Sequence, residues 1–298
     1  MRGRGPAVPA GAAAWENRTV RLPDGRVLGY AEYGDPGGEV LVSCHGGLTC
    51  RLDIRGCDAA ARAAGVRVIS PDRPGVGLSS RSPGRSLLDW PADVAGLADA
   101  LGVQRFLVLG WSAGGPYAAA CAFALPGRVR AVGLVASSLP PSAATGDTSA
   151  LDRVFSYCSV RAPWLDRIAF RVMGGAARRA PGAFLRLSLA MLDEPSRALA
   201  RELPPGWFAG AMAGGLRDPA GAVDEYRILG SEWGFGPEQI SQPVHLWQGD
   251  ADSSVPVAWG EWLAARIPHA RLTICPGEGH FLALARYPEI FTTLRAAA

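Results

Sequence analysis

The stretch RFLVLGWSAGGPYAAACAFAL, residues 105–125, decides how this chain is read. Phe106 to Leu109 is a short continuous apolar run and reads as a buried strand, while the alanine-rich segment after Pro116 reads as a helix. Between them stands Gly110-Trp111-Ser112-Ala113-Gly114, a G-x-S-x-G pattern in a strand-turn-helix setting. A serine on so sharp a turn exposes its hydroxyl, and side chains two places to either side would collide there. Glycine at 110 and 114 removes them. The helix that follows aims its amino end at Ser112, so free N–H groups and the helix dipole can stabilise negative charge on a substrate oxygen. With glycine at 38 of 298 positions the bare pattern arises by chance about 0.3 times, so its meaning rests on its surroundings.

Working outward, Thr19 to Tyr33 alternates around Asp24-Gly25 and reads as a hairpin. Apolar runs follow at Val40 to Ser43, Val66 to Ser70, Val132 to Ala136, Val244 to Trp247 and Arg271 to Ile274, separated mostly by helical stretches. Fully apolar strands alternating with helices predict an α/β fold with a mainly parallel sheet covered on both faces. Its active site is expected beyond the carboxyl ends of the strands. Between Leu139 and Ser241 the chain has helical periodicity and proline breaks but no strand, which predicts an inserted helical cap with helices starting near Thr148, Pro181, Pro205 and Pro219. Phe155, Trp164, Phe170, Met173, Phe184, Met191, Trp207, Phe208, Met212 and Trp233 are assigned mostly to the core of that cap. The expected division is a disordered tail at 1–18, a core at 19–138 and 242–298, and the cap at 139–241.

A serine needs a base, and the base needs a carboxylate that fixes its tautomer. Of the four histidines, His245 lies inside an apolar strand and His269 in a polar turn. His45 ends the strand EVLVS and reads as structural. His280 stands in a glycine-flanked loop, PGEGHF at 276–281, directly after the last strand. The strand VHLWQ runs into GDADSSVP at 249–256, where Asp250 and Asp252 compete for the carboxylate role. The loop His45-Gly46-Gly47 can bring its backbone to the serine, so the amides of Gly47 and Ala113 are assigned as oxyanion donors. Trp111 and Leu48 are candidate substrate contacts.

Together HGG at 45–47, DRPGVGLSS at 72–80, GWSAGG at 110–115, GDADSSVP at 249–256 and GEGHF at 277–281 resemble the α/β-hydrolase superfamily, in its capped, serine-nucleophile, esterase, peptidase and epoxide-hydrolase-like branch. The resemblance covers nearly all of the chain after Thr19. It implies an eight-stranded sheet, a chain order of Ser112, Asp252 and His280 for the triad, and a structural role for the loop Asp72, Arg73, Gly75, Gly77 and Ser79. It selects Asp252 over Asp250. Serine in place of an aspartate nucleophile removes epoxide hydrolysis and dehalogenation, and HGGLT in place of H-G-G-P-G weakens an aminopeptidase reading.

Composition narrows the chemistry further. All 30 basic residues are arginine, so Schiff-base, pyridoxal-phosphate, Ser-Lys and P-loop chemistry are excluded. The six cysteines lack C-x-x-C spacing and read as buried or half-buried free thiols. Arginines are scattered along the sequence at a net charge of +3, so no nucleic-acid partner is expected. No apolar run is long enough to span a bilayer, and neither a membrane partner nor a secretory leader is expected, which makes the cytoplasm the default. The scheme requires no metal and no organic cofactor. The expected partner is a small hydrophobic molecule bearing an ester, lactone or thioester; a homodimer is compatible with the sequence. The same residues could serve a lyase, an acyltransferase or a cyclase, or survive in a binding protein without turnover.

Overall fold

The structure is a computed structural model that describes residues 15–144, 150–203 and 206–298. Eight strands form one sheet: β1 Arg18–Arg21, β2 Val27–Gly34, β3 Glu39–Cys44, β4 Val66–Pro71, β5 Phe106–Trp111, β6 Val129–Val135, β7 Val244–Gly249 and β8 Ala270–Cys275. Their spatial order is β1-β2-β4-β3-β5-β6-β7-β8. The hairpin expected around Asp24-Gly25 is β1-β2, and β2 pairs antiparallel with β4. All later pairings are parallel.

The central strands are mainly apolar because both their faces are covered, whereas the edge strands β1 and β8 leave several residues exposed. Successive strand residues point to opposite faces. On one face a Cβ on Gly110 would touch Ala118 of helix α3 (Gly115–Ala124). On the other, a Cβ on Gly133, the register partner of Leu109, would touch Leu294 of helix α11 (Ala283–Ala297). Helices α1 (Asp58–Ala63), α2 (Trp90–Ala100) and α10 (Val257–Ala264) complete the layers.

Among the described residues six helices lie between β6 and β7: α4 Ala150–Arg161, α5 Pro163–Arg179, α6 Pro181–Ala190, α7 Glu194–Glu202, α8 Trp207–Gly215 and α9 Pro219–Leu229. The starts expected at Pro181 and Pro219 are seen, whereas those at Thr148 and Pro205 lie outside the described residues. Helices α5 and α7 were not foreseen. A single residue, Ala162, separates α4 from α5, too short a break to show in the apolar period, and Pro163 sits at the first turn where proline is tolerated. Phe155, Phe170, Phe184, Met212 and Tyr226 form a second apolar cluster within the insertion. Trp164 and Met191 are not part of it and stand 60% and 62% exposed.

Two expected boundaries shift. Residues 1–14 lie outside the described residues, but Glu16, placed in a disordered tail by the sequence, is buried and ion-paired with Arg55. Its backbone carbonyl also accepts from Arg51. At the other boundary, Trp233 and Ile240 already belong to the core cluster, and Phe235 stacks on Phe123 of α3 at 4.6 Å. The chain therefore rejoins the core before residue 242.

Candidate active site

Ser112 follows β5 directly with φ +55°, a left-handed conformation rare for a residue with a Cβ. Such a position costs roughly 1–3 kcal/mol and persists only where the surroundings enforce it. Here they do: a Cβ on Gly114 would lie 2.0 Å from the Cys44 carbonyl oxygen, and one on Gly110 would lie 2.5 Å from that of Gly114. The Ser138 N–H donates to the Ser112 carbonyl at 3.2 Å.

His280 and Asp252 arrive from the ends of β8 and β7. Gly249 lets these two loops close on each other, since a Cβ there would meet the Glu278 carbonyl oxygen at 2.1 Å. Ala251 N–H donates to that carbonyl, and Gly277 N–H donates to the Asp250 carboxylate at 2.6 Å. Asp250 is thus an exposed loop fastener. Asp252 Oδ2 lies 2.9 Å from His280 Nδ1, while its Oδ1 accepts the N–H groups of Ser254 and Val255. His280 Nε2 lies 2.9 Å from Ser112 Oγ. The tautomer with the proton on Nδ1 satisfies both partners, leaving Nε2 to accept the serine proton. Burial disfavours the imidazolium, but the charge and hydrogen bond of Asp252 outweigh it, with Asp193 adding to them, and His280 titrates above its ordinary value.

Gly47 sits beside the turn, where a Cβ would be 3.4 Å from that of Ala113. Among the described residues no acceptor takes the Gly47 N–H. The loop that carries it is held from below: Asp53 accepts from Gly46 N–H and Thr49 Oγ1, and fully buried Arg73 donates to the carbonyls of His45 and Gly46. His45 is structural. Its Nδ1 meets the Gly46 carbonyl and its Nε2 accepts the Arg73 N–H, and burial followed by the Arg73 charge depresses it to about 3. Asp72 likewise accepts from Arg51 and from Leu78 N–H.

Trp111 is packed into the site from several sides. Its indole N–H donates to the His280 carbonyl at 3.0 Å, and its ring lies against both Gly46 and His280. It also lines a cavity of about 490 Å³ over Ser112, with Leu48, Leu139, Phe208, Met212 and Trp259 among the apolar walls. The polar wall includes Tyr226, whose hydroxyl donates to Asp152 at 2.9 Å. His245 and His269 lie away from it, in β7 and in an exposed turn.

Sequence reasoning missed the residues by which the insertion grips these loops. Asp193, the N-cap of α7, accepts the His280 backbone N–H at 3.1 Å, and Ser196 Oγ accepts that of Phe281 at 3.0 Å. Gly279 admits them, since a Cβ there would sit 1.8 Å from Asp193 Oδ1. Glu225 of α9 pairs with Arg73 and Arg85 and accepts from Tyr117. The string Asp193-Glu-Pro-Ser196 does carry a helix-start signal, but nothing local names the loop it would meet.

A model of the alpha/beta hydrolase family matches residues 40–292. The chain belongs to the alpha/beta hydrolase family. It is 30% identical over 237 residues to a pimeloyl-[acyl-carrier protein] methyl ester esterase of Nitrosomonas europaea, covering 76% of this chain and 82% of that one. A protein of the same name from Aromatoleum aromaticum is 28% identical over 232 residues, covering 73% and 81%. Among solved structures, the esterase RhEst1 from Rhodococcus sp. ECU1013 superposes with a TM-score of 0.68 at 22% identity, over 95% of this chain and all (100%) of that one.

Proposed function

We propose that this hydrolase cleaves a carboxylic ester, lactone or thioester of a hydrophobic small molecule through an acyl-enzyme on Ser112. The observation that carries the reading is the unbroken line from Ser112 Oγ to His280 Nε2 and from His280 Nδ1 to Asp252, both at 2.9 Å, under an apolar cavity. Neutral His280 takes the Ser112 proton as Oγ attacks the carbonyl carbon. Asp252 holds the ring and stabilises the imidazolium, and the Gly47 and Ala113 amides receive the oxyanion. The imidazolium gives its proton to the leaving alcohol or thiol. Water, deprotonated by His280, then attacks the acyl carbon and Ser112 leaves with the proton. The names of the relatives, both methyl ester esterases, favour an ester with a small alcohol.

The experiment is a series of p-nitrophenyl esters of increasing acyl length, with the released acid analysed after reaction in heavy-oxygen water. Label in the acid is expected. Unlabelled product, with the acyl group found on another acceptor, would mark the enzyme as a transferase and remove hydrolysis.

A further inference from the structure

Twelve large apolar side chains stand out as exposed among the described residues, and ten of them fall between Leu151 and Met191. Tyr157, Trp164, Ile168, Val172, Leu187 and Met191 are each more than half exposed. Helix α5 shows how they are ordered. Its inner side, including Phe170 and Ala177, is buried against α8 and α9. On its outer side Trp164, Ile168 and Val172 stand at i, i+4 and i+8 and form an apolar row. Arg167, Arg171 and Arg178 run alongside it as a basic row.

Segment 150–190 holds seven arginines and only two carboxylates, so it carries +5 in a chain whose total is +3. Both carboxylates face inward contacts: Asp166 is buried and accepts from Ser159, and Asp152 accepts from Tyr226. No hydrogen bond or ion pair among the described residues engages the seven arginines. Arg153 lines the cavity over Ser112, while the other six arginines are exposed and leave the outer side of this segment basic as well as apolar.

We propose that the outer face of α4–α6 docks on an anionic lipid bilayer. Parallel apolar and basic rows are what a helix lying in the plane of a membrane interface requires, with Trp, Ile and Val entering the acyl boundary and guanidinium groups at headgroup level. A second copy of the chain fits less well, because a two-fold contact through this face would set +5 against +5. The expectation of no membrane partner rested on the lack of a spanning segment. Among the described residues no helix is long and apolar enough to cross a membrane, and an interfacial face needs none.

The test is co-sedimentation of the full chain with vesicles of phosphatidylcholine alone and of phosphatidylcholine mixed with phosphatidylglycerol. Binding is expected to the mixed vesicles only, and to weaken as salt rises. Replacing Arg167, Arg171 and Arg178 together by Gln should weaken partitioning roughly a hundredfold. The separate double variant Trp164→Ser with Ile168→Ser should weaken it about tenfold or more. Turnover of a water-soluble ester should be unchanged in both, which shows that the variants are folded. Equal binding to the two vesicle types, or none to either, would overturn the proposal. So would a solution dimer that either variant dissociates, which would assign the face to a second copy, or binding of an acidic protein by a chain that ignores the vesicles.

Discussion

Helices α8 and α9 and helices α4 to α6 belong to the same insertion and draw on the same residue types, yet they meet their surroundings in opposite ways. The first pair is joined to the core. Asp224 and Glu225 of α9 face Arg81, Arg73 and Arg85 of the core loops, and Gly215 and Gly221 let the helices approach the backbones of Leu48 and Gly75. The second set packs chiefly on the other inserted helices and turns unpaired arginines outward. An arginine opposite a buried carboxylate fixes a loop, whereas one without a counter-charge is left for whatever anion approaches. The inner layer thereby shapes the loop that carries Gly47, and the outer layer is free to change without disturbing it.

The largest effect on stability should come from Glu225→Gln. Arg73 is wholly buried, and removing its counter-ion leaves a desolvated guanidinium at a cost of about 3–5 kcal/mol. Denaturant unfolding should show this, with a fall in kcat as the His45 and Gly46 carbonyls lose their anchor. Burial opposes the Glu225 charge, but Arg73 and Arg85 override it and hold the carboxyl at about 2. A depressed carboxylate contributes stability above its ordinary range and loses it as pH falls toward 2, so the gap between wild type and variant should close in acid.

Next is Gly215→Ala. The new methyl would sit 2.2 Å from the Leu48 carbonyl oxygen, a backbone atom that cannot swing away. Overpacking of this kind costs about 1–3 kcal/mol, and because the displaced loop carries Gly47, kcat should fall more than KM changes. A smaller change is expected at the other grip point. Asp193→Asn keeps an acceptor for the His280 N–H but removes a charge that favours the imidazolium. The acid limb of kcat/KM, expected above the ordinary histidine value, should therefore move to lower pH with little loss of maximum rate. Asp252→Asn should move it in the same direction with a rate loss of about 10⁴. The smallest effect belongs to the outer layer: Arg171→Gln or Trp164→Ser should alter unfolding free energy by less than about 0.5 kcal/mol. A large loss at either would mean that the two layers are not distinct.

What was legible in the sequence follows from what is local. The strands announce themselves because burial on both faces requires unbroken apolar runs, and the turn at Ser112 requires glycine at fixed offsets. The choice of Asp252 over Asp250 came from the family resemblance, and the geometry places Asp252 against His280 and Asp250 against Gly277. The contacts of Glu225 and Asp193 were not legible, because each spans more than eighty residues and depends on how the insertion lands. Glu16 was hidden for a similar reason, since its partner Arg55 gives no sign in the residues around position 16. The exposure of Trp164 and Met191 was missed because apolar side chains are by default assigned to a core.

The claim on which the account stands is that Ser112 is made nucleophilic by His280. Intact-mass analysis after treatment with a fluorophosphonate tests it most directly. One adduct is expected, mapped to Ser112, forming faster as pH rises through the His280 titration and absent in Ser112→Ala. An adduct on another residue, or ester turnover that persists in Ser112→Ala, would contradict it.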